Sequence, residues 1–152
     1  MKNKGFGAPL SERLYWLIDI MPKQVPAERG SSYFLLEEYL AQRPELKTGI
    51  YMRFAMLLIK LGCYYDIRIC ADGGEDIVNP GAETLEHRIL ECLDPACPEK
   101  SLMRISAGLH AELTLDGGDT YMTLYEPEDN LLYLIKELAA SEGLFVWGPL
   151  RG

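Results

Sequence analysis

Histidine is scarce in this sequence, with two in 152 residues, and cations are outnumbered. Fifteen Lys and Arg face 23 Asp and Glu, for a net charge of −8. Each shortage narrows the field. Nucleic-acid affinity rests on Lys and Arg neutralising backbone phosphates, so no nucleic-acid partner is expected. Anionic membrane surfaces are disfavoured for the same reason. GxGxxG and GxxxxGK[ST] phosphate loops are absent, and so is a GxSxG elbow. A membrane span needs ~20 apolar residues without internal charge; the longest apolar stretch, Ile50 to Leu61, is shorter and holds Arg53 and Lys60. The opening residues MKNKGFGAPL carry two lysines with no apolar run behind them. No secretory signal is therefore expected, and the chain is placed in the cytoplasm with its four cysteines reduced.

What is present has the make-up of a globular protein: 48% apolar and 25% charged residues, in a length suited to one domain. Residues 1–9 are expected to be disordered, 10–62 to form a helical part, and 63–148 an α+β part. The stretch KTGIYMRFAMLLIKLGCYYDIRIC, residues 47–70, is the expected centre. Ile50, Phe54, Leu57, Leu58 and Leu61 repeat at helical spacing. Thr48 is placed as N-cap and Gly62 as a left-handed C-terminal glycine. Tyr65, Ile67 and Ile69 then alternate with polar residues, as in a strand. Cys63 and Cys70 read as small core hydrophobes. Arg53 and Lys60 are expected to bury their stems and keep their charges in water.

The remaining elements follow from caps and breakers. Ser11 and the face Leu14, Leu17, Ile18 and Met21 predict a helix over 12–21, with Leu10 and Tyr15 as a hydrophobic staple, ended by Pro22. Residues 22–30 are a connector, and Gly30–Gln42 a second helix carrying Tyr33, Leu36 and Leu40. Asn79 and Pro80 begin another helix, with Leu85, Ile89, Cys92 and Leu93 inward. Met103 to Leu115 alternate without a break, yet that run is long against typical strands of ~5–6 residues. Pro98 and Gly108 favour a short helix over 98–107, with the strand starting at Leu109. Leu109–Leu115 and Tyr121–Tyr125 form a hairpin, Pro127–Gly143 a helix, and Leu144–Trp147 a last strand. From residue 64 the order strand–helix–strand–strand–helix–strand resembles the ferredoxin-like β-α-β-β-α-β architecture. The predicted fold is thus α+β, with a ferredoxin-like sheet of about four strands and an N-terminal extension of two to three helices.

Chemistry-bearing clusters have plain explanations. His87, Cys92 and Cys97 lie close in sequence, but no second cysteine pair completes a zinc tetrad and Cys92 fits an apolar helix face. No metal and no cofactor is expected. Four cysteines and two histidines allow chance pairings, and nothing local marks an activated thiol. Asp72-Gly73-Gly74 and Asp116-Gly117-Gly118 are ordinary turn chemistry rather than calcium loops. The hairpin is the candidate site. With Leu113, Leu115, Met122 and Leu124 facing the core, His110, Glu112, Tyr121, Thr123 and Tyr125 share the opposite face. Tyrosine-bearing surfaces suit protein interfaces. The leading expectation is a non-enzymatic, cytosolic interaction or regulatory domain that binds a protein partner or itself. The alternative is a small-molecule sensor or enzyme. Its pocket would lie between the N-terminal helices and the sheet, lined by His110, Glu112, Tyr121 and Tyr125, with His110 as proton carrier.

Overall fold

The computed structural model describes residues 13–71 and 73–151. The predicted disordered segment 1–9, and Leu10 and Ser11 with their cap and staple, lie outside those residues. Four α-helices are described: α1 (Gly30–Ala41), α2 (Pro44–Leu61), α3 (Ala82–Glu91) and α4 (Asp129–Ser141). Seven strands form one sheet: β1 (Leu14–Asp19), β2 (Ile67–Cys70), β3 (Ile77–Val78), β4 (Leu102–Ala107), β5 (Ala111–Asp116), β6 (Tyr121–Tyr125) and β7 (Phe145–Arg151). Their order is β3-β2-β4-β5-β6-β1-β7, and every neighbouring pair is antiparallel.

The α+β class is as expected, but the ferredoxin-like sheet of about four strands is wrong. That architecture places its first strand between its third and fourth, whereas here β2 pairs with β3 and β4, and β6 and β7 both pair with β1 instead. Two misassigned segments account for the error. Residues 14–19 form a strand, not a helix. LYWLID satisfies both periods, and tertiary pairing decides between them: β1 lies between β6 and β7, with Ile18 opposite Met122 and Val146. Residues 102–107 are likewise a strand, and Pro98–Lys100 makes only a 3₁₀ turn. The long alternation was two strands. Gly108, at φ +63°, lets the chain reverse, and Ala107 faces Ala111 across the turn. That separation is even, so inward positions stay odd-numbered through the reversal and the sequence alternates as if nothing had turned. Leu109, in phase with the inward positions and placed by the sequence at the start of the strand, sits at the turn tip and is 80% exposed.

Helices α2, α3 and α4 cover one face of the sheet. Tyr51, Phe54, Leu57, Leu58 and Leu61 of α2 are fully buried against Ile105, Leu113, Leu115, Met122 and Leu124 of the sheet. The expected extension therefore supplies a core helix and a core strand. α2 starts at Pro44, which pre-sets φ at the first helical position, so Thr48 is inside the helix. Gly62 ends it in a right-handed conformation, at φ −62°. Lys60 pairs with Glu142 at the C-terminal end of α4. Asn79 does not cap α3, which begins at Ala82. Instead Asn79 Oδ1 accepts from the Ile67 amide at 3.1 Å and its own amide donates to the Ile67 carbonyl at 2.8 Å, which extends the β2–β3 pairing. Cys63 is exposed and Cys70 half-buried, so neither is a core residue.

The Asp116–Asp119 turn is anchored from the helical layer. Tyr51 Oη lies 2.7 Å from the carbonyl oxygens of both Asp116 and Asp119. A Cβ on Gly117 would stand 1.9 Å from the Cys92 carbonyl oxygen, so this approach admits only glycine. The Gly118 amide donates to Asp116 Oδ1 at 3.1 Å, the expected Asx-turn bond. The matching loop contains Asp72, which lies outside the described residues. β7 is an edge strand, which is why Pro149 is tolerated within it. No helix among the described residues is long and apolar enough to cross a membrane.

Candidate functional site

The sheet face opposite the helices collects the chemistry. Alternation puts Tyr15, Leu17 and Asp19 of β1 on it, beside Tyr121, Thr123 and Tyr125 of β6, with Glu112 and Thr114 of β5 beyond. Four of the five sequence candidates, Glu112, Tyr121, Thr123 and Tyr125, share this face as expected. His110 does not join them; it is exposed in the β4–β5 turn.

Glu112 is fully buried and fully engaged. Arg104 Nε donates to its Oε2 at 2.6 Å, and Arg13 Nη1 to its Oε1 at 3.3 Å. Arg13 is itself buried, donates through Nε to Glu126 Oε1 at 2.8 Å, and lies 5.3 Å from the centre of the Tyr125 ring. The Tyr15 and Tyr125 rings pack at 5.9 Å. This end of the face is an ionic and aromatic cluster whose groups bind one another.

The other end is a pocket. After Asp19 the chain folds over the ends of β1, β6 and β7 and runs into α1. Residues 23–27 and Tyr33 then face Leu17, Asp19, Tyr121 and Trp147 across a cavity of about 270 Å³. The sheet explains the convergence: Asp19 is paired with Tyr121 on one side and Phe145 on the other, and Leu17 is paired with Trp147. Tyr33 is fixed from α1 by a 3.0 Å hydrogen bond between its hydroxyl and Thr120 Oγ1. The lining is aromatic and aliphatic apart from Asp19, Lys23, Gln24 and the phenol groups.

Asp19 is 3% exposed. Trp147 Nε1 donates to its Oδ2 at 3.0 Å, while Oδ1 is buried with no hydrogen-bond partner among the described residues. Burial pushes its carboxyl pKa above the ordinary 3.8. The Trp147 indole and the Met21 and Ile20 amides pull the other way but are outweighed. Burial also raises the Tyr33 phenol, and it pushes Tyr121 up to about 12 with help from the charge of Asp119, so both remain protonated donors. A buried acceptor without a hydrogen bond is costly unless something arrives to meet it.

Other cavities lack this feature. A cleft of about 760 Å³ runs between the α1–α2 junction and the 92–98 loop, and one of about 490 Å³ lies beside Asn79. Among the described residues, neither holds a buried polar side-chain atom without a partner. His87 is exposed, 3.4 Å from Glu91, and Cys92 is buried. Among the described residues no three His, Cys, Asp or Glu gather as metal ligands would.

Of the sequence candidates only Tyr121 lines the pocket. Asp19, Tyr33 and Trp147 were missed. Their signal was an acidic residue ending the apolar run LYWLI, visible once 14–19 is taken as a strand with Leu17 and Asp19 on one face. No protein-family model, curated protein or solved structure matches this chain, so its geometry alone bears on function.

Proposed function

We propose that this protein is a non-catalytic binding protein that takes a small organic molecule into the Asp19 pocket. The carrying observation is the buried Asp19 carboxylate, one oxygen of which has no hydrogen-bond partner among the described residues, on a residue that lines a preformed apolar cavity. Ligand sites are mostly apolar concavities with a few placed polar groups, ~300–1,000 Å³ in volume; this one, at about 270 Å³, falls just below that range. A thermal-shift screen of small metabolites tests it, because a ligand that binds only the folded state raises Tm by mass action. Hits should be lost in Ala27→Trp, which fills the cavity from its solvent side. Hits that survive that substitution would move the site elsewhere.

A second reading, a docking surface for a protein partner, is favoured by α1. Phe34 and Leu35 are 60% and 63% exposed, next to Glu37 and Glu38. Apolar anchors rimmed by acidic residues fit a basic partner. A photo-crosslinker at Ser31 tests this. A basic protein as the adduct, lost in Leu35→Asp, would support it; an adduct with a second copy of this chain would replace it with self-association.

A further inference from the structure

We propose, building on the pocket reading above, that the ligand is an organic monocation, its ammonium or amidinium group at the Asp19 carboxylate and its apolar body among Tyr33, Tyr121 and Trp147.

The case rests on what the pocket supplies and what it leaves out. Its one carboxylate is deep, and one of its two oxygens already receives the Trp147 indole. The other has capacity to accept and makes no hydrogen bond among the described residues, although the Ile20 and Met21 amides lie near the carboxylate. Lys23 lines the same cavity, yet it is exposed and makes no ion pair with Asp19. Among the described residues no cation pairs with this carboxylate, in contrast to Glu112 with its two arginines. An incoming cation completes the pair, and a charge-assisted hydrogen bond to a carboxylate is the stronger kind. The walls favour the same ligand, because aromatic rings attract cations as well as apolar surface. An anion would meet the Asp19 carboxylate in a chain whose net charge is −8. The small volume limits the ligand to about the size of one ring with a short arm.

A neutral ligand is the competitor. A protonated Asp19 would donate its O–H to such a ligand's oxygen. The two cases have opposite pH dependence. A cation needs the ionised carboxylate, so its affinity falls as pH drops through the acid range. A neutral acceptor needs the protonated form, so its affinity rises. The titratable groups facing Asp19 are Lys23 from the 20–29 segment, Tyr33 from α1 and Tyr121 from β6; β7 presents Trp147, which does not titrate. The phenols stay protonated throughout that range, and Asp119, whose charge reaches both of them, is retained in Asp19→Asn, so the part of the pH dependence lost in that variant belongs to Asp19.

The experiment is calorimetric titration of the full chain with three cations, phenethylammonium, benzamidinium and choline. Each is paired with a neutral counterpart of matching shape: 2-phenylethanol, benzamide and 3,3-dimethylbutanol. At neutral pH at least one cation should bind tenfold or more tighter than its counterpart. That preference should vanish in Asp19→Asn, which keeps an acceptor for Trp147. All binding should be lost in Ala27→Trp, whose substitution lies on a separate element, the 3₁₀ turn Ala27–Arg29. On the wild type, cation affinity should fall as pH is lowered from 7 to 4, a result that stands even if Asp19→Asn folds poorly. Neutral compounds that bind as well as the cations, or affinity that rises on acidification, would overturn the cation and leave the pocket reading in place. No binding by any of the six would overturn both.

Discussion

Glu112 and Asp19 are two buried carboxylates on one face of one sheet, and they are treated in opposite ways. Glu112, 0% exposed, receives Arg104 on one oxygen and Arg13 on the other. Asp19, 3% exposed, receives one side-chain donor, the neutral Trp147 indole, and no cation, and one of its oxygens makes no hydrogen bond among the described residues. A carboxylate clamped by guanidinium groups closes a structure, because its lone pairs are used and its charge is matched. A carboxylate left half-satisfied at a cavity wall costs stability and waits for a partner. Burial alone thus does not tell a structural acid from a binding one; the count of satisfied lone pairs does.

The largest expected effect breaks the closed member. Glu112→Leu takes one carboxylate from the Arg13 guanidinium, which stays buried beside Tyr125 and bonded to the partly exposed Glu126. Removing one partner of a buried pair costs ~3–5 kcal/mol. Urea denaturation at pH 7 should show a loss of about 3 kcal/mol or more. A loss below ~1 kcal/mol, the range of surface pairs, would mean that Glu112 is no more committed to the fold than Asp19, and the contrast would fail.

That contrast was half legible in the sequence. The hairpin alternation put Glu112 and the three hairpin residues Tyr121, Thr123 and Tyr125 on one face, and the face is correct. Period two survives wherever one side of a sheet is buried, as with Leu113, Leu115, Met122 and Leu124. Two things could not be read locally. LYWLID fits a helical stripe as well as a strand, and only pairing with β6 and β7, distant in sequence, decides it. With a helix over 12–21 the face lacks Asp19 and its neighbour Trp147, and the sheet lacks its link to residues 10–62. The partners of Glu112 were equally hidden. Arg13 comes from a segment 99 positions away, and nothing in its local sequence points to a buried acid.

A middle-sized effect probes the one side-chain hydrogen bond to Asp19. Trp147→Phe keeps a ring against Leu17 but deletes the indole donor to Oδ2. A lost hydrogen bond to a charged group is worth ~1.5–3 kcal/mol, and chemical denaturation should register a drop of that order at pH 7. The indole bond favours the ionised form of Asp19, so its loss should also move the carboxyl further up, observable in its side-chain carbon NMR titration. An unchanged titration would mean that the indole is packing rather than bonding.

The smallest effect carries the opposite sign. Burial raises the Asp19 pKa above 3.8, the ordinary carboxyl value that the unfolded chain takes. The folded protein therefore holds this proton more tightly than the unfolded one. Stability from this group is fully present below pH 3.8 and is lost as pH rises through the raised folded value. At pH 7 the ionised, half-satisfied carboxylate is a cost. The amide introduced by Asp19→Asn does not ionise and still accepts from Trp147. The variant should therefore melt higher than the wild type at pH 7, by roughly 2–4 °C, the change that ~1 kcal/mol makes in a chain of this size. The gap should close as pH falls toward 4. Asp119, whose carboxyl is also raised by burial, contributes equally to both proteins and drops out of the difference. A stability gain on removing the carboxylate, paired with the loss of cation binding, is the signature of a residue kept for a ligand. A variant that melts lower at every pH would make Asp19 a second Glu112, a structural acid whose partners lie within the fold.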